Sequence, residues 1–182
     1  MTGFSRFLAG FLWLAIVLAA GARAEDTVSY STYRLNAGDM VSINVFGEED
    51  LSVETRLTDA GTISYPFLGE VRVKGLTVGQ LENLVTSKLK GDYLIDPKVN
   101  VTITEYRKFF VRGEVKDPGG FSFEPGLSLE KAIALAGGFT ERASRKQVAV
   151  TREVNGTKKT VTMNLDRPVM PGDIVNVKES FF

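Results

Sequence analysis

Residues Thr58–Thr77, TDAGTISYPFLGEVRVKGLT, decide how the chain folds. Asp59-Ala60-Gly61 is a turn, because Asp bonds its own backbone and Gly tolerates positive φ. Ile63-Ser64-Tyr65 reads as a short strand that Pro66 stops, since proline cannot donate to a ladder. Gly69 permits a second bend, and Val71-Arg72-Val73 alternates as a strand does. Gly75-Leu76-Thr77 opens a helix. The order turn, strand, bend, strand, helix start describes a small mixed α+β unit.

Upstream, Met40 to Phe46 alternates, with Val41, Ile43 and Val45 on one face and Ser42 and Asn44 on the other, a half-buried strand. Leu51 to Leu57 is a second strand, read as pairing with Ile63 to Tyr65 across the Asp59–Gly61 turn. Downstream, Thr77-Val78-Gly79-Gln80 has the form of a capping box. Val78, Leu81, Leu84, Val85 and Leu89 make one apolar stripe, Lys88 and Lys90 suit the C-terminal dipole, and Gly91 suits the cap. Val99 to Glu105 alternates again. A second unit starts near Lys108. Phe109 to Arg112, Phe121 to Phe123, Val148 to Val154, Val161 to Leu165 and Ile174 to Val177 are strands. Gly126-Leu127-Ser128 starts a short helix that Gly137-Gly138 ends, and Asn155-Gly156 is a hairpin turn. Gly38-Asp39-Met40-Val41 echoes Gly172-Asp173-Ile174-Val175. The reading is therefore α+β, two small domains joined near Tyr106.

Composition narrows the chemistry. The 182 residues are 43% hydrophobic and 24% charged, ordinary globular usage. Lys and Arg number 22 and Asp and Glu 22, so no basic nucleic-acid face is implied. With no Cys and no His, thiolate nucleophiles, histidine bases, disulfides and standard zinc sites are excluded. No nucleotide loop is present. Glu48-Glu49-Asp50 lacks the spacing of a calcium loop. A glycosidase pair such as Glu48 and Asp50 would sit in a solvated loop with nothing to raise a pKa. No catalytic residue, cofactor site or metal site is expected.

Met1 to Ala24 reads as a secretory signal peptide: Arg6 in the n-region, an apolar run from Phe7 to Ala20, and Ala22-Arg23-Ala24 before the cut. Cleavage between Ala24 and Glu25 is expected; the competing reading is a membrane anchor, for which the run is short. Loss of Arg6 and Arg23 would leave the mature chain slightly acidic.

Tyr33-Arg34-Leu35-Asn36-Ala37-Gly38-Asp39, Asp59 to Gly69, Val73 to Thr77 and Pro97-Lys98-Val99-Asn100-Val101, in this order, resemble the polysaccharide export domain of the bacterial polysaccharide export proteins, the Wza-type family. Phe110 to Gly126 and Ala132 to Thr140 resemble the SLBB domain, a β-grasp-like module. The resemblance implies residues 25–106 as export domain, 107–178 as SLBB domain and 179–182 as a tail, after a signal peptide at 1–24. It implies a non-enzymatic part of a capsule or exopolysaccharide export system, periplasmic and associated with the outer membrane. Longer members carry more SLBB domains, a lipidated Cys and a C-terminal amphipathic helix that builds the outer-membrane pore. This sequence has one SLBB-like unit and none of the rest. It is therefore similar to a short member, forming a homo-oligomeric ring that passes polymer from an inner-membrane polysaccharide co-polymerase to a separate outer-membrane β-barrel. The alternative is a monomeric periplasmic module that binds a glycan or other soluble ligand.

Tyr65 and Phe67 are candidates for channel lining or glycan contact, since aromatic rings lie against sugar C–H faces and Pro66 and Gly69 fix their loop. The competing reading places both in the core or a subunit contact. Phe181 and Phe182 are candidates for partner docking on a tail, from Lys178 on, expected to project; folding back onto their own domain is the alternative.

Overall fold

The computed structural model describes residues 32–154 and 156–180. Ten strands and two helices form two hydrophobic cores, the α+β pair of domains that the sequence patterns require.

In the first domain, β1 (Met40–Val45) lies between β2 (Val53–Arg56) and β5 (Val99–Glu105), antiparallel to both. Val41, Ile43 and Val45 are buried while Asn44 is exposed, the period of two that the sequence shows. The turn at Asp59–Gly61 forms, with Gly61 N–H donating to Thr58 O at 2.8 Å. It does not close a β2–β3 hairpin, however. β2 spends its ladder on β1, Val41 facing Thr55. β3 (Thr62–Tyr65) instead pairs with β4 (Gly69–Arg72) as a separate ribbon. Gly61 O accepts from both Val73 and Lys74 N–H, each at 2.9 Å, which draws the turn toward the far end of β4.

Helix α1 (Val78–Leu89) covers this sheet with Leu81, Val85 and Leu89. Its capping box is complete: Gln80 N–H donates to Thr77 Oγ1 at 3.3 Å, and Thr77 N–H to Gln80 Oε1 at 3.0 Å. Such a cap contributes about 1 kcal/mol. Each of the three buried side chains contributes about 1.5–3 kcal/mol, so packing and not capping holds the helix. On β5, Val101 N–H donates to Glu82 Oε1 at 2.9 Å, tying the helix to the strand.

The second domain is one five-stranded sheet in the order β7-β6-β10-β8-β9: β7 (Gly119–Phe121), β6 (Phe109–Gly113), β10 (Ile174–Val177), β8 (Gln147–Val154) and β9 (Thr157–Asn164). The last strand, β10, thus sits in the middle, parallel to β6 and antiparallel to β8. Helix α2 (Leu129–Leu135) packs Leu129, Ala132 and Ile133 onto it, with Ala136 just beyond also buried. Ser128 caps the helix through Lys131 N–H, and Leu129 and Glu130 N–H donate to Arg167 O and Leu165 O, both at 2.9 Å. The chain after β10 does not project as far as it is described. Ser144 N–H donates to Lys178 O at 2.9 Å, Ser180 N–H to Arg142 O at 2.7 Å, and Glu179 pairs with Arg142. Among the described residues no helix is long and apolar enough to cross a membrane.

Candidate functional site

The β3–β4 turn carries the most unusual residue of the first domain. Phe67 has φ 60°, the only non-glycine residue with positive φ among those described. Left-handed backbone costs a side-chain-bearing residue roughly 1–2 kcal/mol. The cost is not repaid by burial, since Phe67 is 68% exposed. Its ring lies 5.8 Å from that of Tyr93, tilted by 43°. Tyr93 sits in the loop that follows α1, and its hydroxyl reaches Phe67 O at 3.4 Å. Ile95 on the same loop is 92% exposed. Phe46, just past β1 and bonded through its N–H to Lys98 O, is 87% exposed. The first domain thus leaves four large apolar side chains at least partly exposed, two of them, Phe67 and Tyr93, in ring contact. Exposed apolar area that is contiguous marks a contact surface more often than a lone exposed residue does.

Tyr65, two residues before Phe67, has the opposite placement. It is 2% exposed, and its hydroxyl donates to Leu51 O at 2.7 Å. Burial pushes its pKa up from the usual tyrosine value. The alternation of β3 turns Tyr65 inward, so it is a core residue and cannot line a passage in this conformation. Pro66 then re-aims the chain and leaves Phe67 outside. Ala24, Glu25, Phe181 and Phe182 lie outside the described residues, as does Asn155 of the hairpin turn. Among the described residues no group of three or more acidic side chains could hold a metal ion, and Glu48, Glu49 and Asp50 are exposed, the last two opening a short 3-10 helix rather than a loop.

A second constellation joins the two domains, and the Gly-Asp echo is its visible trace. Asp39 is fully buried; its carboxylate accepts from Tyr33 OH at 2.7 Å, Asn36 N–H at 2.8 Å, Arg107 N–H at 2.9 Å and Arg107 Nη1 at 3.4 Å. Asp173, also fully buried, accepts from Met170 N–H at 2.8 Å and from Arg152 Nε and Nη2 at 2.8 and 2.7 Å. In both turns the Asp N–H returns to the residue three before it, at 3.1 Å. Each is the same Asp-locked turn followed by a strand, and each Asp takes an arginine. Arg107 sits between them: a Cβ built on Gly38 would lie 3.4 Å from Arg107 Cβ, and one on Gly172 would lie 2.5 Å from Arg107 Nε. Glycine is required at 172 twice over, by this approach and by φ 85°. Tyr106 packs against both cores, edge-on to Tyr33 and to Phe123 with centroids 5.2 Å apart in each case. Arg107 Nη1 also donates to Tyr33 OH at 2.6 Å. Burial first, and the Asp39 charge second, raise the Tyr33 pKa well above its ordinary value, with Arg107 opposing. The sequence shows both Gly-Asp pairs and places Tyr33 in the stretch that resembles the export domain, but it assigns no role to Tyr33 or Arg107, whose roles arise from contacts across 68 and 74 positions.

Comparison with known proteins matches each of the two domains to a family. Residues 27–104 match the family described as polysaccharide biosynthesis/export protein, and residues 108–170 match the SLBB domain. The chain is 25% identical over 175 residues to the exopolysaccharide production protein ExoF of Rhizobium meliloti (strain 1021), covering 90% of this chain and 41% of that one. It is 32% identical over 135 residues to the polysialic acid transport protein KpsD of Escherichia coli, covering 72% and 24% respectively. To the EPS I polysaccharide export outer membrane protein EpsA of Ralstonia solanacearum it is 26% identical over 147 residues, covering 66% and 39%. The chain therefore spans well under half the length of each of these relatives.

Proposed function

Because the chain belongs to the polysaccharide biosynthesis/export protein family, we propose that it is a non-enzymatic component of an exopolysaccharide or capsule export system, acting in the periplasm beside the outer membrane. Copies assemble into a ring through which polymer passes to a separate outer-membrane β-barrel, supplied from the inner membrane by a polysaccharide co-polymerase. Relatives named for production, transport and export of polysaccharide support the export role, and none of those names describes an enzyme.

The exposed Phe67–Tyr93 pair on its strained turn carries the ring reading. A ring needs two unlike patches that meet head to tail and close. Phe46 and Ile95 supply apolar area for one of them. Phe67 then stands at the lumen, where a ring face stacks on sugar C–H groups without holding any one residue of the polymer tightly. The rigid Asp39–Arg107–Tyr33 junction fits this role, because a closed ring requires every protomer to keep one angle between its domains.

Crosslinking in cells that express the complete export system tests the proposal. An amine-reactive crosslinker, which joins lysines wherever two copies meet and leaves the apolar side chains in place, is expected to give a ladder of oligomers. Monomer alone would sink the ring and favour the monomeric binding module.

A further inference from the structure

The groove between the two domains, on the side of Arg107, is far more basic than the chain as a whole. It encloses about 460 Å³, and Lys74, Arg107, Lys108 and Lys158 line it together with Phe110 and a single carboxylate, Glu153. A contiguous hollow that shares Lys74, Arg107 and Glu153 adds Arg34 and Arg72. The charge on Arg107 is met by Asp39. The other five cations make no ion pair among the described residues. The full chain carries equal numbers of acidic and basic residues, so five cations with one carboxylate among them, Glu153, opposite Lys158 in the β8–β9 ladder, are a local concentration of positive charge. A groove of one sign focuses the field and raises the local concentration of the opposite sign.

Phe110 makes the groove more than an anion trap. It lies on β6 between Phe109 and Val111, which are buried, and so points to the other face, half exposed. Opposite it on β7 is Gly120. A Cβ there would lie 2.8 Å from Phe110 Cε1, so the ring rests against the β7 backbone where a side chain would otherwise be. That support fixes the ring while one part of it stays open to the groove. A carboxylated sugar has both features that this lining complements: an anionic group for Lys and Arg, and an apolar pyranose face for an aromatic ring.

We propose that the interdomain groove is a binding subsite for an acidic glycan, a run of uronate-type sugars whose carboxylates are held by Lys74, Lys108 and Lys158 while one sugar ring stacks on Phe110. The subsite lies at the junction, away from the Phe67 turn, and it narrows the polymer of the export reading, on which its biological meaning rests, to an acidic one.

Titration of the purified full chain with decagalacturonate, with uncharged maltodecaose, with polyphosphate and with poly-glutamate tests this directly. The expected result is binding of decagalacturonate that weakens steeply with salt, with no binding of maltodecaose. Lys108→Glu combined with Lys158→Glu should weaken it by about tenfold or more, the worth of one charge-assisted contact. Phe110→Ala should weaken decagalacturonate but leave polyphosphate unchanged, with melting temperature recorded for each variant. Failure of decagalacturonate to bind, equal binding of maltodecaose, or indifference to Phe110→Ala would overturn the subsite. Tighter binding of poly-glutamate would assign the groove to an acidic protein segment and overturn it equally. Any of these failures leaves the export role standing, because that role is read from polymer at the cell surface and not from this titration.

Discussion

Asp39→Asn is the sharpest test of the domain junction. The carboxylate is fully buried and has four donors at 2.7 to 3.4 Å. Three of them converge on Oδ2: Tyr33 OH, Asn36 N–H and Arg107 Nη1. The fourth, Arg107 N–H, meets Oδ1. An asparagine can keep its oxygen on the Oδ2 side only by turning its NH₂ toward Arg107 N–H, donor against donor. One hydrogen bond to a charged group is then lost, about 1.5–3 kcal/mol, and one buried donor is left unmet, about 1–3 kcal/mol. The Arg107 side chain, 21% exposed, also loses its counter-charge. The two together come to about 2.5–6 kcal/mol, a range that brackets the roughly 3–5 kcal/mol cost of breaking a buried ion pair from one side. For a chain of this length, that lowers the melting temperature by about 10 °C. Urea and thermal melts followed by circular dichroism measure it, with Glu105→Ala as control, which leaves the Arg56 bond to Gly38 O in place. The Arg56–Glu105 pair is close to half exposed on both sides, and its loss should cost at most about 1 kcal/mol. If Asp39→Asn costs no more than Glu105→Ala, the junction is not held as described.

Tyr65→Ala should destabilise the fold by about 3–5 kcal/mol, as truncation of a buried aromatic does, whereas Phe67→Ala should stay within about 1 kcal/mol of wild type yet reduce export; equal thermal losses in the two variants would refute the inside and outside assignments. Stability should fall above pH 10, since Tyr33 has a raised pKa when folded and ionises at its ordinary value, near 10, only when unfolded. The neutral folded form is then favoured by about 1.4 kcal/mol less for each pH unit above 10, and a Tyr33→Phe chain with an undiminished alkaline slope would contradict this. Intact mass of periplasmic protein should begin at Glu25, and a full-length chain recovered from the inner membrane would remove the signal-peptide reading.

Local signals proved readable where one stretch of chain settles its own structure. The Thr77–Gln80 box caps α1, Val41, Ile43 and Val45 alternate inward, and Ile174–Val177 is a strand with the expected ends. The pairing of β2 is not legible locally: the Asp59–Gly61 turn has the form of a hairpin turn, and nothing within it reveals that β1, already paired with β5, offers β2 a better ladder. Tyr65 and Phe67 could not be told apart, since one proline between them reverses their environments. The partnership of Phe67 with Tyr93, 26 positions on, and the docking of Glu179 beside Arg142, 37 positions back, depend on where separate elements come to rest. The repeated Gly-Asp turn was legible as a pattern. Its meaning, two buried carboxylates of which Asp39 holds Arg107 and Asp173 holds Arg152, depends on partners far along the chain.

We propose that this chain moves polysaccharide outward, and the amount of polymer on each side of the outer membrane tests that role most directly. In cells that lack only this chain, polysaccharide should fall at the surface and in the medium, while polymer accumulates within the envelope or its synthesis stalls, and wild-type chain should restore the surface level. Surface polymer at the wild-type level in those cells would contradict the account.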